Sequence, residues 1–196
     1  MREAIGATWI FGIVIVFIVL FTGYLAFSIN YAKAFSVKDS IIDTLEKYSG
    51  PGIRTGSKSE FNTGPVFKEI NDKMINVNYN AKGSCKMVAE AYLDTMPANK
   101  KYTLNDNVIG VRNEKGKTFH NVLGDDEKNR YHYCIIKQQQ NYINEQGLGF
   151  SNYFVATFFT VNIDVINVVK INFNFFVSGQ TKNIAYPVDW FTGDGD

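Results

Sequence analysis

Trp9-Ile-Phe-Gly-Ile-Val-Ile-Val-Phe-Ile-Val-Leu-Phe21 is the stretch that decides the fold. Around it, no charged residue occurs from Ala4 to Ala32. A bilayer span needs about 20 apolar residues at a helical rise of about 1.5 Å per residue. Leu, Ile, Val and Phe near the bilayer centre each favour insertion by about 0.3–0.6 kcal/mol. Ile10–Phe21 therefore contributes on the order of 5 kcal/mol, enough to outweigh Gly12, Thr22 and Gly23. Trp9 stands near one end and Tyr24 and Tyr31 near the other, where amphipathic aromatics settle at a membrane interface. A buried core helix is excluded, because a chain of 196 residues has no core for so long an apolar run. The reading is a retained single-pass anchor in the cell membrane, with membrane lipid as its first partner. A cleaved secretory signal is the alternative, since Ala32-Lys-Ala34 fits a small-x-small site, but the run exceeds the usual signal core of about 7–15 residues.

Outward from the span, the helix does not stop at the membrane. Ala34/Phe35, Ile41/Ile42, Leu45 and Tyr48 recur at three or four residues and form one stripe, with Lys33, Lys38, Asp39, Asp43, Glu46 and Lys47 on the other faces. Ser49-Gly50-Pro51-Gly52 supplies a stop, with Gly50 as the C′ glycine and a proline beyond it. The expected helix runs from Ile5 to Tyr48, about 60–65 Å. Its second half needs a partner to cover its stripe. Arg2 and Glu3 on one side, and Lys33, Lys38, Asp39 and Asp43 on the other, leave orientation undecided by charge. The short N-terminal tail and large C-terminal part favour a domain outside the cytoplasm.

Residues 49–64 read as a Gly-, Ser- and Thr-rich loop, and 65–196 as a mostly β extracytoplasmic domain after the helical segment 1–48. Pro65 suits the first position of a short helix with Val66/Phe67, Ile70 and Met74 on one face. Ile75–Tyr79 alternates and predicts a strand; Cys85–Asp94 fits either helix or strand. Val108–Arg112 and Lys117–Val122 flank a hairpin turn at Asn113–Gly116. Arg130–Lys137 alternates as well. Tyr153, Val155, Thr157, Phe159, Val161 and Ile163 occupy one face of a strand. Val169, Ile171, Phe173, Phe175 and Val177 occupy one face of the next, with Asp164–Val168 as the hairpin between them. Such alternation predicts a sheet with one buried face. No βαβ rhythm is present. The fold class is α+β: a long N-terminal transmembrane and amphipathic helix packed on a small antiparallel β-sheet.

A net charge of +1 gives no electrostatic case for nucleic acid. The two cysteines, Cys85 and Cys134, predict one disulfide in an oxidising exterior, or two buried thiols otherwise. No CxxC or HxxxH spacing supports a metal. Asp125-Asp126-Glu127 reads as a solvated turn, and Asp189, Asp194 and Asp196 as a polar tail. Gly147-Leu-Gly149 lacks the surroundings of a phosphate loop, and no G-x-S-x-G or H-E-x-x-H is present. His132 lies two residues before Cys134, but no orienting group is evident for a dyad. The expectation is a protein without catalytic residues, cofactor or metal. An enzyme would need a pocket around His120 or His132.

The combination of a short charged N-terminus, an apolar helix with an amphipathic continuation, and a small sheet with one cysteine pair resembles type IV pilins and pseudopilins. It is most similar to the TadE-like minor pilins of tight-adherence systems. Arg2–Tyr48 carries the resemblance, with Tyr133-Cys-Ile-Ile136 and Phe175-Phe-Val-Ser-Gly-Gln-Thr-Lys-Asn-Ile184 in support. It implies a pilin-like structural or assembly subunit of a surface filament or secretion apparatus, whose partners are other pilin-like subunits or assembly-platform proteins. Gly6 then stands at the prepilin cleavage position with Ala7 as the mature start. The fifth residue from there is Phe11, where these prepilins carry Glu, and Glu3 lies on the other side of the site. Gly6, Gly12, Gly23 and Ala26 are the small residues through which such helices would pack. The competing reading is an anchored binding module for a cell-wall or surface ligand, marked by an exposed patch of Tyr131, Tyr133, Tyr142 and Tyr153.

Overall fold

A computed structural model of the chain describes residues 2–50, 65–94, 108–112, 117–120, 130–143, 148–165 and 169–187. The first element, α1, runs unbroken from Arg2 to Lys47, 46 residues or about 70 Å. No residue from Thr8 to Lys33 is buried. From Ala34 onward one face is: Ala34, Val37, Ile41, Thr44 and Leu45. The buried stripe is thus rotated from the expected one. Phe35 and Tyr48 lie outside it, and Val37 and Thr44 take their places.

The helix ends in a Schellman closure. Ser49 adopts φ 56° and Gly50 φ 113°. The Gly50 N–H bonds to the Leu45 carbonyl at 2.8 Å and the Ser49 N–H to the Glu46 carbonyl at 3.4 Å. Ser49, rather than Gly50, is therefore the C′ residue. Gly50 is required all the same, because its φ is positive and Tyr153 Oη would stand 3.0 Å from any Cβ.

Helix α2 (Pro65–Asn76) buries Val66, Phe67, Ile70 and Met74, the face its spacing predicts. The predicted strand over Ile75–Tyr79 does not form. Instead α2 closes as α1 does: Asn78 takes φ 49°, its N–H bonds to the Ile75 carbonyl at 2.9 Å, and the Tyr79 N–H bonds to the Met74 carbonyl at 3.0 Å. Asn tolerates the left-handed region, so the local polar pattern served a cap and not a ladder. Cys85–Asp94, ambiguous in sequence, is helix α3, with Cys85, Val88, Ala89 and Tyr92 buried.

The strands are β1 (Val108–Arg112), β2 (Lys117–His120), β3 (Tyr133–Ile143), β4 (Leu148–Val165), β5 (Val169–Gln180) and β6 (Ile184–Pro187). They form one antiparallel sheet in the order β2-β1-β3-β4-β5, with β6 also on β4. β5 pairs with Phe154–Val165 and β6 with Leu148–Ser151, out of register by one residue. Thr181 fills the irregularity: its N–H bonds to the Tyr153 carbonyl at 2.9 Å, and its Oγ1 accepts the Tyr153 N–H at 3.0 Å. β5 and β6 thus behave as one strand with a bulge.

The expectation of one buried face fails at β4. Tyr153, Val155, Thr157, Phe159 and Val161 are buried toward α1 and α2, as predicted, but Ala156 and Phe158 are buried on the opposite face. There α3 covers them, together with Val108, Tyr131 and Ile136. The Cys85–Cys134 disulfide, Cα–Cα 5.7 Å, ties that helix to β3. The architecture is three layers, with α1 and α2 on one side and α3 on the other. The expected loop over 51–64, the hairpin turn at 113–116, the 121–122 end of its second strand and the 166–168 part of the β4–β5 hairpin lie outside the described residues.

Candidate functional site

The surface that sets this chain apart is the bare half of α1 and the seam where α1 meets the sheet. Trp9, Ile10, Phe11, Phe17 and Leu20 are each more than 60% exposed. Thr8–Lys47 contains a window long and apolar enough to cross a membrane, with none of that window buried, and it is the one such candidate among the described residues. A single-pass anchor is consistent with this.

β4 runs antiparallel to α1, so its C-terminal end points back toward the apolar half. The Thr157 hydroxyl donates to the Ala34 carbonyl at 2.8 Å, and the Asn30 amide donates to the Thr160 carbonyl at 3.1 Å. Past Thr157, which pairs with Tyr133, β4 is paired with β5 and with no other strand among the described residues. Its open edge is closed by side chains instead. Tyr79 Oη accepts the Phe158 N–H at 2.7 Å and donates back to the Phe158 carbonyl, while Asn30 caps Thr160. Burial of the Tyr79 phenol pushes its pKa up, so it stays a protonated donor.

An aromatic ladder follows the seam. Phe27 meets Phe159 edge-on at 5.4 Å and Phe175 at 5.9 Å. Tyr31 meets Phe159 at 5.8 Å, and Phe173 stacks on Phe175 at 6.1 Å. Phe173 and Phe175 remain exposed, although their alternation predicts a buried face, because the helix covers β4 more fully than the edge strand β5. Further along α1, Lys38 buries its stem beside Gly179 and sets its amine 3.7 Å over the Phe35 ring and 3.0 Å from Asp39.

The backbone of Gly6 and Ala7 lies inside α1, and their side-chain surroundings lie outside the described residues. Gly12 faces open space. Gly23 and Ala26 are half-buried, on the helix face that continues to Asn30 and Ala34 and so turns toward the sheet. The described members of the predicted tyrosine patch form no exposed patch: Tyr131, Tyr133 and Tyr153 are each 1% exposed, held inside the three layers, and the Tyr142 side chain lies outside the described residues. Burial pushes the Tyr133 phenol well above its ordinary range. His132 is buried, with Nδ1 2.9 Å from the Ala81 carbonyl, and Cys134 is consumed by the disulfide, so no Cys–His dyad forms. The side chains of His120 and of Asp125–Glu127, and the tail from residue 188, lie outside the described residues. Among the described residues no three His, Cys, Asp or Glu side chains converge on a metal position.

Two features escaped the sequence reading. The first is an ionic hub between α1 and α2. Lys47 Nζ lies 2.8 Å and Lys73 Nζ 3.2 Å from Glu69, and Lys73 also donates to Thr44 Oγ1 at 3.0 Å. The hydrogen bonds from Lys47 and then Lys73 hold the Glu69 carboxyl down at about 2. The second is a polar cleft of about 450 Å³ beside Asn30, whose lining includes Lys33, Lys82 and Arg130. No spacing could have revealed it, since its parts come from α1, the segment after α2 and the approach to β3. Comparison with protein-family models, curated proteins and solved structures finds no match for this chain.

Proposed function

We propose that this chain is a membrane-anchored, pilin-like structural subunit of a surface filament or secretion apparatus, with no catalytic role. The observation that carries the reading is the continuity of α1. One helix has no buried residue from Thr8 to Lys33, meets the edge of the sheet through Phe27, Asn30 and Tyr31, and is seated on the sheet from Ala34 onward. A lone anchor has no need of rigid coupling between its span and its domain. A subunit that must transmit position from a helical core to an outer domain does. The disulfide fits a domain carried outside the cytoplasm. Ser28, Ala32 and Ser36 add support: they repeat every four residues on the exposed side of α1, where a second helix could approach closely.

The resemblance to TadE-like minor pilins supplies the partners, namely other pilin-like subunits or assembly-platform proteins, and no nucleic acid. Gly6–Ala7 is the bond a prepilin peptidase would cut. The test is crosslinking in native membranes from a cysteine placed at Ser36. The expected result is adducts to further copies or to other pilin-like chains. Recovery of monomer alone, across a range of crosslinker lengths, would overturn the reading.

A further inference from the structure

The level of the polar cleft relative to the bilayer is set by α1. If the hydrocarbon begins at Trp9, a thickness of about 30 Å at about 1.5 Å per residue ends near Ile29. Asn30 and Lys33, which line the cleft, then stand in the headgroup layer on the domain side. The aromatic ladder at Phe27, Tyr31, Phe159 and Phe175 brings the lower edge of the sheet to the same level. At that level the fold gathers three cations from distant parts of the chain: Lys33 from α1, Lys82 from the segment before α3, and Arg130 from the approach to β3. Asn78, Asn80 and Asn162 add amide groups, and among the described residues no Asp or Glu lines the cleft.

We propose that this cleft binds the phosphate of an anionic lipid headgroup in the leaflet on the domain side. The charge sign, the mixture of cations with neutral amides, and a volume of about 450 Å³ opening at headgroup depth suit that ligand. The bound lipid would fix the height and tilt of the domain over the membrane. The proposal rests on membrane anchoring and is independent of any filament.

Native mass spectrometry of the full chain in detergent, offered phosphatidylglycerol or phosphatidylcholine, tests it. The wild-type chain should retain phosphatidylglycerol in preference. Each neutralised cation among Lys33→Gln, Lys82→Gln and Arg130→Gln should cut that preference about fivefold. Lys33→Gln alone tests the site at an exposed helix position outside the core. Lys33→Arg should keep the preference, as should a control pair outside the cleft, Lys68→Gln with Lys182→Gln. Equal retention of the two lipids, or an undiminished preference in the triple variant, would overturn the proposal. So would inorganic phosphate competing as well as the lipid, mole for mole, since the ligand would then be a free anion.

Discussion

Tyr79 shows how much a single hydroxyl can hold. It satisfies both the N–H and the carbonyl of Phe158 at a strand edge that has no neighbouring strand among the described residues. Tyr79→Phe keeps the ring and strands two buried backbone groups, so thermal and chemical unfolding of the detergent-solubilised chain should register a loss of about 2–4 kcal/mol. Gly83 is the second case. A Cβ there would collide with the Phe158 ring, and Phe158 is fully buried. Gly83→Ala should destabilise by about 1–3 kcal/mol in the same measurement, whereas Gly12→Ala should not. Two charges set a pH dependence. Glu69 is held at about 2, below its ordinary 4.5, by Lys47 and Lys73. A depressed acid stabilises the fold above its unfolded pKa, so this contribution fades as pH falls from about 4.5 to 2. Lys137 is half-buried on β3, and desolvation lowers it to about 8 from 10.5. Here the unfolded chain binds the proton more tightly, so stability should rise between about pH 8 and 10.5. Glu69→Gln should flatten the acid limb of a melting-temperature profile and Lys137→Gln the alkaline limb. Neither residue announced this in sequence, because each shift depends on neighbours that only folding supplies.

At the scale of elements, the sequence was most legible where the pattern was long. The course of α1, the start of α2 at Pro65 and the pairing of β4 with β5 all follow from periodicity. Short, mixed patterns misled. Ile75–Tyr79 alternates like a strand, yet a left-handed Asn78 turns it into a helix cap. β4 looked one-sided because its Tyr153–Ile163 face is so regular, although Phe154, Ala156 and Phe158 lie opposite. Such a strand, apolar on both faces, is what a sheet covered on both sides requires. Its cover, α3, was hard to place because ten residues sit near the limit at which a helix declares itself. The disulfide secures that short helix and closes a separation of 49 residues. Cys85→Ala with Cys134→Ala should lower stability by about 4 kcal/mol. Hydrogen exchange should show Cys85–Asp94 losing protection before α1, since α3 has fewer other attachments. Equal loss in both helices would mean that the bridge stabilises the domain as a whole.

For the whole molecule, the balance lies between an apolar helix that favours lipid and a domain that stays in water. The run from Ile10 to Phe21 favours insertion by about 5 kcal/mol, and two arginines near the middle of the Trp9–Ile29 span cost about 6 kcal/mol together. Ile18→Arg with Leu20→Arg should therefore move the chain from the membrane fraction to the soluble or aggregated one. The sheet should keep its disulfide, because Thr8–Lys33 contributes no buried residue to the core.

The long apolar segment, the unbroken helix, the α+β class and the strand periods were legible along the chain alone, because each is a local pattern repeated often enough to outweigh its alternatives. Only the folded chain shows which helix residues face the sheet, that both sheet faces are covered, that Tyr131, Tyr133 and Tyr153 are core, and that Lys33, Lys82 and Arg130 share one cleft. These depend on contacts between segments tens of residues apart, and no period along the chain encodes them.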